Sequence, residues 1–275
     1  RLFVKWAPIY SYRRPIFLLI WWYDISKLTR GDVDMSEKKK KKKFAWLKWL
    51  GVLLILIISL GLIFHNEIAN FTLKSFEPQV TKQSIKAGQK EKKQANYDWQ
   101  KVGTLTAQQV LQARLNSDKI NFIGFVAVPE VGISVPISNG TTDLNLSLGA
   151  GTMFPDEVMG EGNYALASHF IPGDSGRDLL FSPLYYKGKV GQDIYLTDMN
   201  KVYRYKAVDF KVIQPTDVDW VYPVEGKKLV TLITCDYTAE RGRIMMRGEL
   251  QGVKTWAETP KDIQKAFTTD NRWIK

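Results

Sequence analysis

The sequence predicts an all-β domain with short helices, preceded by a single transmembrane helix. Two observations carry this prediction. Between residues 123 and 253, short apolar runs rich in β-branched residues are separated by glycines and prolines, which is typical of a β-barrel or a β-sandwich. Upstream lies Phe44–Phe64, a run of 21 residues whose single charge is Lys48.

The apolar run Phe44–Phe64 is long enough to cross a membrane. As a helix that rises 1.5 Å per residue, it covers about 30 Å, the thickness of the hydrocarbon core. Six lysines, Lys38–Lys43, precede it. A basic flank favours the cytoplasm, so we expect residues 35–43 to be a cytoplasmic tail and the chain after residue 64 to be extracellular. A cleaved signal peptide is the alternative, but its apolar core is normally about 7–15 residues long and ends at small residues. We therefore expect residues 44–64 to be an uncleaved signal anchor in the cell membrane.

Residues 1–34 differ in character from the rest of the chain. Met35, with Ser36-Glu37 and the lysine block after it, resembles an ordinary bacterial start. We therefore expect residues 1–34 to be an upstream extension that is not part of the native protein. A genuine membrane-surface segment is the alternative, because the stretch carries tryptophans and arginines.

The net charge of +11 is unevenly distributed along the chain. Residues 1–43 carry +8, residues 44–64 carry +1 and residues 65–275 carry only +2. A nucleic-acid-binding domain needs a basic face. The near-neutral domain therefore argues against a nucleic-acid partner.

Residues 65–97 are polar and rich in lysine, without a sustained apolar period. This composition predicts an extracellular tether, partly helical, ahead of a folded domain at residues 98–275. Within the domain, Thr106–Gln109 fits a capping box and Thr259-Pro260 fits the start of a final short helix. Short helical turns are expected at 144–148 and 179–186.

Six segments have the composition of strands, being apolar or alternating and bounded by turn residues. They are Ile123–Val128, Gly162–Ser168, Asp193–Thr197, Val202–Phe210, Leu229–Cys235 and Ile244–Val253.

The only cysteine of the chain, Cys235, ends one of these strands. The next strand comes after a short loop, so the two form a hairpin that brings Cys235 and Arg243 together, with Cβ atoms about 5 Å apart if they pair directly. A guanidinium beside a thiol favours the thiolate. A lone extracellular cysteine cannot form an intramolecular disulfide, so it is either buried and inert or reactive.

Three blocks, taken together, resemble the class A sortases. Thr231–Cys235 reads TLxTC and has an arginine eight residues after the cysteine. Asn163–His169 is similar to the family's strand that ends in the catalytic histidine, and Gly149–Met153 is similar to the glycine-containing segment before it. The order of His, Cys and Arg also agrees. The resemblance covers roughly residues 98–253 and implies a closed eight-stranded β-barrel.

The resemblance also implies roles for individual residues. Cys235 is the nucleophile, His169 its acid–base partner, and Arg243 holds the substrate and stabilises the oxyanion. Thr234 and Ser168 are expected at the substrate or oxyanion position. Arg241 competes with Arg243, and we interpret it as a solvated loop arginine.

The implied reaction is a transpeptidation that cuts an LPXTG-type sorting signal between Thr and Gly. A thioacyl-enzyme on Cys235 passes the surface protein to an amino group of a peptidoglycan precursor. Two alternatives remain open: an anchored extracellular cysteine protease or hydrolase with the same Cys-His-Arg site, and an inactive barrel that only binds peptides or wall polymer. Without the resemblance, the residues support only an exported thiol acyltransferase or protease.

Acidic loop residues raise the question of a metal cofactor. Asp217, Asp219 and Glu225 precede the cysteine strand, and Asp156, Glu157 and Glu161 lie upstream. Some sortases bind calcium near this loop. Acidic loop residues are usually only solvated, so we predict neither a metal nor another cofactor, and leave calcium activation open.

Overall fold

The computed structural model describes residues 45–75, 81–99, 102–236 and 242–268, and its eight strands close into a barrel. The strands are β1 Phe122–Val128, β2 Ile133–Ser138, β3 Ala150–Thr152, β4 Asn163–Ala167, β5 Asp193–Thr197, β6 Lys201–Ile213, β7 Leu229–Cys235 and β8 Arg243–Thr255. Around the barrel their order is β1-β2-β3-β4-β7-β8-β6-β5. The expected all-β, eight-stranded barrel is confirmed.

Two of the strand pairs are parallel, β2 with β3 and β4 with β7, and the other six are antiparallel. In the β4–β7 pair, Ala167 lies opposite Ile233. Parallel neighbours end at the same edge of a sheet. The residues that come after β4 and β7 are therefore brought together.

The predicted bounds are reproduced for β5 and β7 and differ by a few residues for the other four predicted strands. The sequence did not predict β2 and β3 as strands. Pro136 interrupts β2, and proline is normally excluded from strand interiors. In and beside β3, a side chain at Gly149 or Gly151 would collide with the carbonyl oxygens of Pro136 and Gly140. This segment therefore needs glycine for close backbone approach, which lowers its apparent strand character.

Apolar side chains fill the inside of the barrel. The cluster includes Val126 of β1, Leu166 of β4, Leu196 of β5, Leu232 of β7 and Met246 of β8, all essentially inaccessible to solvent. Fully burying one such side chain contributes about 1.5–3 kcal/mol. Residues from five strands meet in one core, which fixes the positions of the strand ends.

Seven α-helices and several 3-10 turns accompany the strands within the described residues. The helices are α1 Ala45–Ile63, α2 His65–Lys74, α3 Lys82–Glu91, α4 Ala107–Leu115, α5 Asp143–Leu148, α6 Ser182–Lys187 and α7 Lys261–Thr268. The capping box at α4 is present as predicted. Thr106 Oγ1 accepts from Gln109 N at 3.2 Å, and Gln109 Oε1 accepts from Thr106 N at 2.8 Å.

Of the described helices, α1 alone is long and apolar enough to cross a bilayer, over Trp46–Ile63. Its length and composition are consistent with a single-pass membrane anchor. The chain divides into two units, Arg1–Ser59 and Leu60–Lys275, and the barrel belongs to the second. The lysine block and residues 1–34 lie outside the described residues, so the expectations about them stay predictions.

The stretch predicted as a tether contains α2 and α3. Leu73 of α2 and Ile85 of α3 are buried, and Asn70 Nδ2 donates to Ser175 Oγ at 2.8 Å. These helices therefore pack within the unit that contains the barrel. Only a few of their apolar residues are buried, so the sequence shows no apolar period there. The boundary between residues 97 and 98 stays a prediction.

Candidate active site

A cavity of about 470 Å³ opens at the edge where β4 and β7 end. All five predicted site residues line it: Ser168, His169, Thr234, Cys235 and Arg243. The structure therefore brings together residues that are up to 75 positions apart in the chain.

Cys235 and Arg243 are directly opposite each other in the β7–β8 ladder. This is the pairing that the predicted hairpin required. Both side chains are half-buried, and Arg243 Nη1 donates to the Gly242 carbonyl at 3.0 Å. The guanidinium thus lies on the same face of the sheet as the thiol, since paired residues point to the same side.

His169 reaches the cavity through the parallel β4–β7 pair. Ser168 N donates to the Ile233 carbonyl at 3.1 Å, which continues the ladder one residue past Ala167. His169 and Cys235 each lie two residues beyond the pair Ala167–Ile233. Within the described part of the chain, the buried Nε2 of His169 has no hydrogen-bond partner. The residue nonetheless lines the cavity.

Burial sets the resting protonation of the pair. It lowers the pKa of His169 to about 4 and outweighs the Asp143 carboxylate, which raises it. Burial also raises the pKa of Cys235, against the lowering effect of Arg243 and together with the raising effect of Asp236. Near pH 7 the site therefore rests as a neutral thiol and a neutral imidazole. The guanidinium acts in the expected direction, but desolvation of the thiolate is the larger effect.

Thr234 and Ser168 differ in how their hydroxyls are used. Alternation along β7 places Thr234 on the face that carries Val230 and Leu232, which pack in the barrel core. Its buried Oγ1 has no partner among the described residues. Ser168 Oγ donates to the Gly149 carbonyl at 2.7 Å. Ser168 therefore ties the strand before the histidine to the glycine-containing segment.

Arg241, the competing arginine, lies outside the described residues. The choice between Arg241 and Arg243 therefore stays a prediction. Arg243, in contrast, is the first residue of β8 and its backbone direction is set by the ladder.

The apolar wall of the cavity was not predicted from the sequence. Met153 and Val221 belong to one buried apolar cluster with Trp99 and Ile233 packed against it, and all four line the cavity. Met153 ends the glycine-containing block, and this position was the only feature of the sequence that pointed to Met153. Trp99 and Val221 lie outside the strands and helices that the sequence predicts, where an apolar residue predicts no particular contact.

The acidic loop residues do not assemble into a metal site. Among the described residues, no group of three or more His, Cys, Asp or Glu side chains is arranged to hold a metal ion. Glu157 is buried, and its Oε1 accepts from Ala165 N at 2.9 Å. Its carboxyl therefore has a structural contact to β4, and the absence of a metal stays a prediction.

Comparison with known proteins places the chain in a family. A profile described as "Sortase domain" matches residues 126–251. Sortase A of Streptococcus agalactiae is 35% identical over 238 residues, which is 85% of this chain and 96% of that protein. Sortase A of Listeria monocytogenes is 37% identical over 209 residues, 74% of this chain and 92% of that protein. A solved structure of the Listeria enzyme aligns with 53% of this chain and 96% of its own, with 35% identity and a TM-score of 0.48.

The identity extends over nearly the whole length of both relatives, and the resemblance seen in the three sequence blocks is confirmed. With a cysteine, a histidine and an arginine around one cavity, the chain belongs to the sortase family, the cysteine transpeptidases that anchor surface proteins.

Proposed function

We propose that this sortase cleaves LPXTG-type sorting signals between Thr and Gly and transfers the surface protein to an amino group of a peptidoglycan precursor. One observation carries the proposal: Cys235 lies directly opposite Arg243, and His169 lines the same cavity. A nucleophile, a proton acceptor and a cation are thus available at one place. Acyl transfer needs these three functions.

The first half of the reaction forms the thioacyl-enzyme. The imidazole of His169 takes the thiol proton while Sγ of Cys235 attacks the Thr carbonyl carbon, and the Arg243 guanidinium stabilises the oxyanion. The C–N bond to Gly then breaks, and the imidazolium returns its proton to the departing amine. The lowered pKa of His169 keeps the ring neutral at physiological pH, so one of its nitrogens carries no proton before the reaction.

The second half releases the product. The acceptor amine attacks the thioester carbonyl and loses a proton to His169. The C–S bond breaks, and Cys235 regains its proton from the imidazolium. Water in place of the amine would give hydrolysis with the same residues.

The wall of the cavity supports an uncharged peptide as substrate. Trp99, Met153 and Val221 present apolar surface beside the thiol. Leu and Pro, the first two residues of the LPXTG motif, have apolar side chains that gain free energy when they leave water for such a surface.

We further propose that α1 anchors the enzyme with its N-terminus in the cytoplasm and its catalytic domain outside. The lysine block before the apolar run supports this orientation. Protease added to intact cells should degrade the domain and spare the lysine block. A full domain recovered from the medium, trimmed near His65, would instead indicate a cleaved signal peptide.

A transpeptidation assay tests the function. The purified chain in detergent is mixed with an LPXTG peptide and several amines, with and without calcium, and Cys235→Ala is the control. We expect a Thr–amine ligation product that Cys235→Ala does not form. Hydrolysis alone would favour the protease alternative, and no reaction with any amine would favour a binding barrel.

A further inference from the structure

A second arginine of β8 lies on the same face of the barrel as the catalytic arginine. In the β7–β8 ladder, Cys235 pairs with Arg243 and Thr231 pairs with Arg247. Residues separated by an even number of positions point to the same face of a strand, so Arg247 lies about 13 Å along β8 from Arg243 on that face. Unlike Arg243, it does not line the cavity.

Arg247 is bonded to the backbone of the β6–β7 connection. Its Nη2 donates to the carbonyl of Trp220, in the 3-10 segment Val218–Val221. The same carbonyl accepts from Asn163 Nδ2 at 3.0 Å and lies 3.1 Å from Thr231 Oγ1, which also lies 2.8 Å from Asn163 Oδ1. Side chains of β4, β7 and β8 therefore converge on one carbonyl of the 3-10 segment.

The ring of Trp220 covers the guanidinium. Arg247 Cζ lies 4.5 Å from the centroid of the ring, and the arginine is only 9% exposed. A buried cation is costly unless hydrogen bonds or a π face compensate for the lost water. Trp220 provides both, so the cation and the 3-10 segment stabilise each other in this position.

The segment that these contacts hold forms part of the cavity wall. Val218 and Val221 line the cavity, and Val221 packs with Met153 and Ile233. Trp220, Asn163 and Thr231 do not line it. Arg247 therefore reaches the cavity through the segment that it anchors, and its Nε also donates to Thr231 Oγ1 of β7 at 3.4 Å.

We propose that Arg247 is a positioning residue that fixes the segment Val218–Val221 as a wall of the active-site cavity and so determines the affinity for the peptide substrate. This inference rests on the proposed function for its kinetic consequence. Arg247 need not contact the reacting atoms to have this effect. Its expected signature is a change in KM with the thiol chemistry intact.

The test is Arg247→Met, which removes the cation and its donors and keeps a long apolar side chain. We expect KM for an LPXTG peptide to rise about tenfold, with kcat and the rate of Cys235 alkylation by iodoacetamide within about twofold of wild type. Arg247→Lys should recover little, because lysine lacks the planar fork. The matched control is Arg204→Met, which removes an exposed arginine of β6 that pairs with Asp193. It should leave all three quantities unchanged.

A second measurement does not depend on turnover. Backbone hydrogen exchange across residues 214–222 should quicken about tenfold in Arg247→Met and stay unchanged in β7. If Arg247→Met fails to fold, Asn163→Ala, which removes another donor to the same carbonyl, should show the same KM and exchange changes. Unchanged KM and unchanged exchange in folded variants would overturn the proposal. A fall in kcat and in the alkylation rate that accompanies the change in KM would overturn it as well. A wild type that does not act on LPXTG peptides would refute the proposed function, and exchange would then decide on Arg247.

Discussion

Cys235 and Arg243 are opposite partners in the β7–β8 ladder, yet the guanidinium does not convert the thiol into a resting thiolate. Burial raises the pKa of Cys235 more than Arg243 lowers it. The cysteine is therefore activated only when a base removes its proton. In the proposed mechanism that base is His169, which its own burial keeps neutral.

The first prediction concerns the ionisation of Cys235. We expect the rate of alkylation by iodoacetamide to keep rising with pH beyond 8, because the raised pKa leaves the thiol protonated at neutral pH. Arg243→Met should move the profile to still higher pH, since it removes the group that lowers the pKa. The profile is measured by mass spectrometry of the alkylated protein. A rate that levels off below pH 7 would instead indicate a thiolate–imidazolium pair at rest.

The second prediction separates the two arginines. Arg243→Ala should lower kcat by roughly 10²–10³, the usual cost of losing one preorganised oxyanion donor, and lysine should replace it poorly. Arg241→Ala should stay within several-fold of wild type, because Arg243 opens a strand and has a fixed direction. Steady-state kinetics with an LPXTG peptide would decide. A larger loss at Arg241 than at Arg243 would reverse the assignment.

The third prediction concerns the hydroxyl of Thr234. Because this buried hydroxyl has no partner among the described residues, replacing it with a methyl group removes an unsatisfied polar atom. Thr234→Val should therefore keep or raise Tm. If the hydroxyl assists the developing oxyanion, kcat should fall about tenfold at unchanged KM.

Ser168→Ala is the matched control for Thr234→Val, because Ser168 Oγ is hydrogen-bonded to Gly149 in the resting protein. It should lower stability by about 1 kcal/mol. A drop in Tm for Thr234→Val would show that its hydroxyl has a structural partner after all.

The fourth prediction concerns Glu157. Burial raises the pKa of its carboxyl to about 8, against the lowering effects of the Ala165 N–H and Lys92, from an ordinary value of 4.5. Between these two values the folded state binds more protons than the unfolded state. The stability contributed by the neutral carboxyl is therefore present below pH 4.5 and is lost as pH rises through about 8.

Glu157→Gln should consequently flatten the fall of Tm between pH 5 and pH 9, as measured by differential scanning fluorimetry. Glu161→Gln is the control, because Glu161 belongs to the same loop and is exposed. Its profile should match that of wild type. Equal slopes for Glu157→Gln and wild type would mean that the carboxyl is already ionised in the folded protein.

Features that depend on neighbouring residues could be predicted from the sequence. Three such features involve residues that are close along the chain: the capping box of α4, the bounds of β5 and β7, and the pairing of Cys235 with Arg243. Local hydrogen bonds and the two-residue period of a strand are enough to predict them.

The pairing of distant strands, the anchoring of Trp220 and the protonation of the site depend on the assembled barrel. An apolar strand has no intrinsic preference for one distant partner, so the parallel β4–β7 pair that brings His169 to Cys235 arises from packing the whole barrel. The bonds from β4, β7 and β8 to Trp220 have the same origin. The protonation state of Cys235 also depends on the tertiary structure, because burial is a property of the assembled cavity. The guanidinium of Arg243 favours the thiolate, as predicted, but the desolvation that the fold imposes on Cys235 has the larger effect on its pKa.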